Sequence, residues 1–372
     1  MSNTQKKNVP ELRFPEFEGE WEEKQLGNII KVNSGKDYKH LDKGDIPVYG
    51  TGGYMTSVSE PLSEIDAVGI GRKGTINKPY LLEAPFWTVD TLFYCTPKKE
   101  TDILFILSLF RKINWKVYDE STGVPSLSKQ TINKINRFVP TNKEQQKIGK
   151  FFSKLDRQIE LEEQKLELLQ QQKKGYMQKI FSQELRFKDE NGNDYPDWTN
   201  ERLGEVTTVT MGQSPKSVNY TDNSNDTVLI QGNADIENGL INPRIYTREV
   251  TKLIQKDEII LTVRAPVGKL AMAQINACIG RGVCSIKGDK FLYYFLEWFA
   301  TQNKWIRFSQ VSTFESISGN DIRNIHIKIP VEDERTKIIK LLNSLDVLNS
   351  KTDLKIQNLK QRKQSLLQKI FV

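Results

Sequence analysis

From Asn142 to Phe181 the chain keeps apolar residues on alternating steps of four and three: Ile148, Phe152, Leu155 and Ile159, then Leu166, Leu169, Tyr176 and Ile180. From Glu332 to Phe371 the same steps carry Ile338, Leu342, Leu345, Ile356, Leu359, Leu366 and Ile370. Such stepping holds side chains on one stripe of a supercoiled helix. Neither stretch contains proline, and Gln, Lys, Glu and Leu, all good helix formers, dominate both. The pattern predicts two helices of about 39 residues, each roughly 58 Å long. Polar residues interrupt the stripes, Glu162 and Lys173 in one and Asn349, Thr352 and Lys363 in the other. Polar seam positions lower stability but can fix register and partner. One copy per half favours an antiparallel pairing of the two helices with each other; the alternative is two arms that each dimerise with a second molecule.

The two stretches are copies. Set 190 positions apart, Glu144 falls on Glu334, Ile148 on Ile338, Leu155-Asp156 on Leu345-Asp346, and Gln178-Lys179-Ile180-Phe181 on Gln368-Lys369-Ile370-Phe371. The duplication reaches beyond the helices. Trp21 with Leu26-Gly27 recurs as Trp198 with Leu203-Gly204, and Val32 and Gly35 fall on Val209 and Gly212, here 177 apart. Glu11-Leu12-Arg13-Phe14 returns as Glu184-Leu185-Arg186-Phe187, 173 apart. The order is globular segment, helix, globular segment, helix, with shared edges and divergent interiors. The segment before Trp21 is expected to fill the place that residues 182–197 fill in the middle of the chain. Two equivalent halves suit a target that is itself bipartite.

The interiors read as β-rich. Ala67 to Ile70, Phe86 to Val89, Glu258 to Val263 and Ile325 to Ile329 are short, β-branched runs bounded by Gly, Pro or Asn. Short helices are predicted over Asp102 to Lys116 and Lys290 to Arg307, at similar places in the two halves, and Pro140 and Pro330 stand just ahead of the long helices. A chain of 372 residues has room for two domains with helical connectors.

Composition changes the picture little. Three cysteines without a CxxC pair, and no leader-like apolar run, point to a reducing, cytoplasmic setting. No stretch approaches a membrane span. Lys and Arg number 54 against 47 Asp and Glu, a net charge of +7. That excess suits a polyanionic partner but is common in ordinary proteins as well.

Catalytic patterns are missing. His40 and His326 form no metal-ligand spacing with Cys95, Cys278 and Cys284. His326 alternates with Ile325 and Ile327 and reads as a strand residue. Gly69-Ile-Gly71-Arg-Lys-Gly74 fits GxGxxG, but the dinucleotide motif needs a helix to begin within it, and Thr75-Ile76-Asn77-Lys78-Pro79 reads as strand or turn. There is no P-loop, no Asn/Asp-Pro-Pro-aromatic tetrapeptide of the kind amino-methyltransferases use, and no nuclease-like carboxylate cluster. The sequence reads as a binding protein that is not itself an enzyme, with no cofactor or metal of its own.

Polar, Gly-rich turns with Arg, Lys, Asn and Gln recur through both halves. The first half has 34–39, 50–54, 71–75 and 121–126; the second has 211–216, 231–233, 264–269 and 312–316. Glycine lets a backbone approach a groove closely. Arg and Lys can pair with guanine edges or phosphates, and Asn and Gln with adenine. The DNA-contact candidates are Lys36, Tyr54, Arg72, Lys73, Thr75, Lys78 and Thr122 in the first half. In the second they are Gln213, Lys216, Asn233, Arg264, Lys269 and Thr313.

Taken in order, these features resemble the DNA-specificity subunit of type I restriction-modification systems over essentially the whole chain. The resemblance rests on Pro10-Glu-Leu-Arg-Phe-Pro15 with Trp21 and Leu26-Gly27, on Gly71-Arg-Lys-Gly-Thr75, and on Ser121-Thr-Gly-Val-Pro-Ser-Leu127 before Pro140. It rests also on Glu144-Gln145-Gln146-Lys147-Ile148 leading to Leu155-Asp156, and on the Gln-Lys-Ile-Phe endings. Thr262-Val-Arg-Ala-Pro-Val-Gly-Lys269 departs from the first turn, so loop details do not transfer between halves.

The resemblance implies an α+β fold with two β-rich target-recognition domains. They are separated by two long helices in an antiparallel coiled coil, a pseudo-twofold internal repeat. The expected division is 1–141 for the first domain (1–20 its N-terminal segment), 142–183 for the first helix, 184–331 for the second domain and 332–372 for the second helix. It implies that each domain reads one half of a bipartite site on double-stranded DNA while the helices set the spacer; half-sites one turn apart, roughly 34 Å, face one side of the duplex. It further implies docking of methyltransferase subunits, two in number, carrying S-adenosylmethionine, and of endonuclease/translocase subunits using ATP and Mg. A coiled-coil adaptor with two protein-binding domains is the alternative, and a self-sufficient DNA enzyme a remoter one.

Overall fold

A computed structural model describes residues 8–302, 304–305 and 316–372 of the chain. The described residues form two compact units, one of those up to 164 together with 352–372 and the other of those from 165 to 351. Each takes half of both long helices, Asn142–Phe181 and Glu332–Ile370. Within the first unit Asp156 meets Lys363 while Glu162 meets Lys355, so the helices run antiparallel. Ile148, Phe152, Ile159, Ile338, Leu342, Leu345 and Ile356 are buried, and Leu155, Leu166, Leu169, Leu359 and Leu366 half-buried. The predicted stripe is therefore the covered face of both helices.

The stripe does more than join helix to helix. Ile148 and Phe152 belong to the core of the first unit, beside Phe105, Ile106 and Phe110 of the helix Ile103–Lys112. Ile338, Leu342 and Leu345 belong to the core of the second, beside Phe291 and Phe295 of the helix Lys290–Thr301. Both short helices bury an apolar face against the long ones, and each starts at an aspartate cap. The Phe105 amide donates to Asp102 (2.8 Å) and the Leu292 amide to Asp289 (3.1 Å).

The globular interiors share a common frame of two sheets. In each unit a short strand after the tryptophan pairs antiparallel with the strand before the long helix: Glu22–Gln25 with Asn136–Val139, and Thr199–Arg202 with His326–Ile329. A four-stranded antiparallel sheet follows. Its order is Ile30–Ser34, Leu92–Pro97, Ala67–Gly71, Tyr80–Leu82 in the first unit, and Val209–Met211, Val283–Ile286, Ile259–Thr262, Leu270–Met272 in the second. The central strands Ala67–Gly71 and Ile259–Thr262 are buried at every position, as in a strand covered on both faces. A mixed sheet of three strands completes the first unit, and a mixed sheet of five with a two-stranded hairpin completes the second; these carry most of the divergence.

The three offsets of the duplication meet at one buried node in each unit. Arg13 grips Glu144 with two hydrogen bonds (2.8 and 2.7 Å), and the Trp21 indole donates to the same carboxylate at 3.3 Å. Arg186 grips Glu334 likewise (2.8 and 2.8 Å), with Trp198 at 2.9 Å. Glu144 and Glu334 are 1% and 0% exposed, so neither charge has a solvent alternative. The Leu12 amide donates to the Lys369 carbonyl and the Leu185 amide to that of Lys179, which puts the segment before Trp21 in the role of the segment after Phe181.

Candidate nucleic-acid interface

In the first unit three of the polar turns hang on one short segment, Thr88 to Leu92. The Lys36 amide donates to the Thr88 carbonyl (2.8 Å), Gly35 to Leu92 (3.1 Å) and Arg72 to Thr91 (2.8 Å), while the Val89 amide donates back to Tyr49 (3.0 Å). Gly35 is required here, because a Cβ would lie 1.9 Å from the Val89 carbonyl oxygen. The fourth turn closes on the third: Lys73 bridges to Ser126, the Gly74 amide donates to Pro125 (2.8 Å) and the Leu127 amide to Arg72 (2.9 Å). Asp119 pins it by accepting from the Ser126 and Ser121 amides, which hold its carboxyl below the ordinary carboxylate range. Lys36, Arg72, Lys73, Lys78 and Thr122 are exposed, and Thr75 is half-buried. The Arg72 guanidinium leans over the Phe93 ring at 5.8 Å. Tyr54 stands 64% exposed at the tip of the Ile46–Gly50, Gly53–Val58 hairpin.

The second unit repeats these bonds with other side chains. The Gln213 amide donates to Ile279 (2.9 Å), Gly212 to Val283 (3.0 Å), Val263 to Gly282 (2.9 Å) and Gly280 to Ile230 (2.7 Å). Gly212 is again obligatory, with a Cβ 2.1 Å from the Gly280 oxygen. Arg264 bridges to Ser316 and the Ile317 amide donates to Val263 (2.9 Å). Gln213 thus occupies the place of Lys36, Arg264 that of Lys73, and the buried Val263 that of Arg72. This pairing was hidden in the sequence because the two turns share no residue pattern.

Gln231, Asn233, Arg264 and Arg281 converge on one cleft of about 210 Å³ with Ser214. Asp235, 6% exposed, secures its rim by accepting from the Gln231 and Gly232 amides (2.8 and 3.1 Å). Lys269 takes an internal role: its ammonium donates to the Asn233 (3.2 Å) and Ile236 (2.6 Å) carbonyls and holds the same rim. Lys216 is exposed, its amide bonded to Glu249 at 3.0 Å. Thr313 lies outside the described residues, as do 312, 314 and 315 of its turn. Arg281 was not singled out in the sequence, although its setting between Gly280 and Gly282 is a visible cue.

No helix begins after Gly71, so the GxGxxG run is a strand end and a turn. His326 is exposed between the buried Ile325 and Ile327. The cysteines are free and buried; burial pushes the Cys284 thiol up to about 12, far from a nucleophile's range. Among the described residues no group of three His, Cys, Asp or Glu could hold a metal ion, and no helix is long and apolar enough to cross a membrane.

Fold and site define a duplicated scaffold whose two modules present Arg, Lys and amide side chains from rigidly bonded turns. The type I restriction-modification DNA specificity domain matches residues 18–171 and 195–361, so the chain belongs to that family. The proposed MjaX type I restriction enzyme specificity subunit of Methanocaldococcus jannaschii is 30% identical over 261 residues, 66% of this chain and 61% of that protein's length. The type I restriction enzyme MjaVIII specificity subunit of the same organism is 26% identical over 314 residues, 77% of this chain and 71% of that one. The crystal structure of the type I restriction-modification S subunit from M. genitalium shares the fold, with a TM-score of 0.69 at 15% identity over 98% of this chain and 99% of that one.

Proposed function

We propose that this chain is the DNA-reading, non-catalytic subunit of a type I restriction-modification complex. Each unit reads one half of a bipartite site, and the paired helices set the unread spacer and dock the methyltransferase subunits, two per complex. S-adenosylmethionine, ATP and Mg belong to those subunits and to the endonuclease/translocase subunits. The observation that carries the reading is the doubled set of turn-anchoring amide bonds, Lys36 to Thr88 and Gln213 to Ile279, Leu127 to Arg72 and Ile317 to Val263. Two modules with one bonding frame and different side chains suit two half-sites of different sequence, since a fixed backbone with exchanged donors and acceptors changes which base edges are matched. The paired helices also suit a protein adaptor, but that reading leaves the exposed basic turns without a role.

The test is co-expression with the neighbouring methyltransferase subunit, followed by methylome sequencing of the host. The expected result is a new adenine-methylated bipartite motif with a fixed gap. A stable complex without new methylation favours the adaptor; no complex at all removes the docking role.

A further inference from the structure

The turn that anchors the reading loops carries a residue of opposite sign in the two units. Asp90 lies between Val89 and Thr91 in one, and Arg281 between Gly280 and Gly282 in the other, with matching amide bonds on both sides. Around Arg281 the backbone is tightly held. Its own amide donates to Ser214 (3.1 Å), Gly280 donates to Ile230 (2.7 Å), and a Cβ on Gly282 would lie 1.9 Å from the Gln231 oxygen. The side chain is exposed and, among the described residues, makes no hydrogen bond or ion pair, as is true of the Arg264 side chain. Among the described residues no carboxylate lines their shared cleft, whose other side chains include the amides of Gln231 and Asn233. The turn holds the backbone under Arg281 in place and leaves its guanidinium donors for the two acceptors of a guanine edge.

We infer that Arg281 is a specificity-determining residue of the second unit and reads a guanine in its half-site. This rests on the proposed DNA-reading function and goes beyond it to a residue and a base. The change of sign from Asp90 fits a base-reading role, because a base contact differs with the base, whereas a phosphate contact carries no sequence information and gives no reason for the two halves to differ. Among the described residues no hydrogen bond or ion pair depends on the side chain, so its removal tests reading and not folding.

The experiment is methylome sequencing of hosts carrying the methyltransferase subunit with the wild-type chain or with Arg281→Ala. The expected result is a wild-type motif in which one half contains a G·C pair that the variant accepts indifferently, the other half unchanged. A preference on the order of tenfold to a hundredfold at that position should fall to near parity. The intact half serves as the control for folding and assembly. An unchanged motif, relaxation at a pair other than G·C, or methylation lost at all sites alike each overturns the assignment to guanine reading. Absence of any bipartite motif with the wild-type chain sinks the functional reading itself, and is distinguishable because it needs no variant.

Discussion

Where the long helices pass the globular cores, the two units use one ion pair in opposite surroundings. In the first, Asp156 of one helix meets Lys363 of the other, and Arg111 from the domain joins as a second cation. In the second, Lys173 meets Asp346 (2.7 Å), and Glu297 from the domain joins as a second carboxylate (2.7 Å), with the Tyr294 hydroxyl donating to Asp346 at 2.7 Å. The cross-helix pair is the duplicated part, Asp156 matching Asp346 and Lys173 matching Lys363. The third partner is where the copies part. Burial lowers the Lys363 ammonium and raises the Glu297 carboxyl. The lesson is that the helices keep their mutual contacts while each domain supplies its own counter-charge. The polar interruptions at Lys173 and Lys363 are thus partners of aspartates across the helix pair.

The largest test of equivalence is at the buried carboxylates. Arg13→Ala and Arg186→Ala each strand a glutamate with almost no exposure, and each should cost about 3–5 kcal/mol. Urea denaturation gives the totals, and hydrogen exchange locates the loss. Equal losses, each confined to its own unit, are expected; a loss in one variant alone would break the equivalence.

Next in size are the reading turns. Arg72→Ala and Arg264→Ala should each weaken binding by about 1–3 kcal/mol and relax one position in one half of the motif. If both leave specific binding unchanged, the turns do not read DNA. The helix caps come next: Asp102→Ala and Asp289→Ala should each cost about 0.5–2 kcal/mol. Asp289 also pairs with Arg335 (2.7 Å), so its variant should be the worse of the two by thermal melting.

The smallest effect concerns Glu297. Its carboxyl is raised from the ordinary 4.5, first by burial and against the pull of Lys173, so the folded state holds the proton more tightly than the unfolded chain. Stability from this group is complete below pH 4.5 and is lost as pH climbs through the folded value. Glu297→Gln removes that loss, so stability measured against pH should shift in favour of the variant as pH rises towards neutrality. Parallel curves would mean that Lys173 keeps the carboxylate ionised throughout.

The amino-acid sequence by itself determined the long helices, the face each one covers and the duplication. Periodicity is a local property, and a seam with steps of four and three admits one covered face. It also marked the shared edges, because Glu144, Trp21 and Arg13 keep their spacing to a copy of themselves. Only the tertiary structure decided that these three residues meet in one buried node, since their repeats run at three different offsets and no single alignment superimposes them. It decided, too, that Lys73 answers to Arg264 and Asp90 to Arg281. Those pairs are defined by backbone hydrogen bonds, which any side chain can carry, and so leave no trace in residue type. Lys269 shows the same limit from the other side. An exposed cation and one bonded to two carbonyls read alike as a letter, and only the fold tells which oxygen atoms it meets.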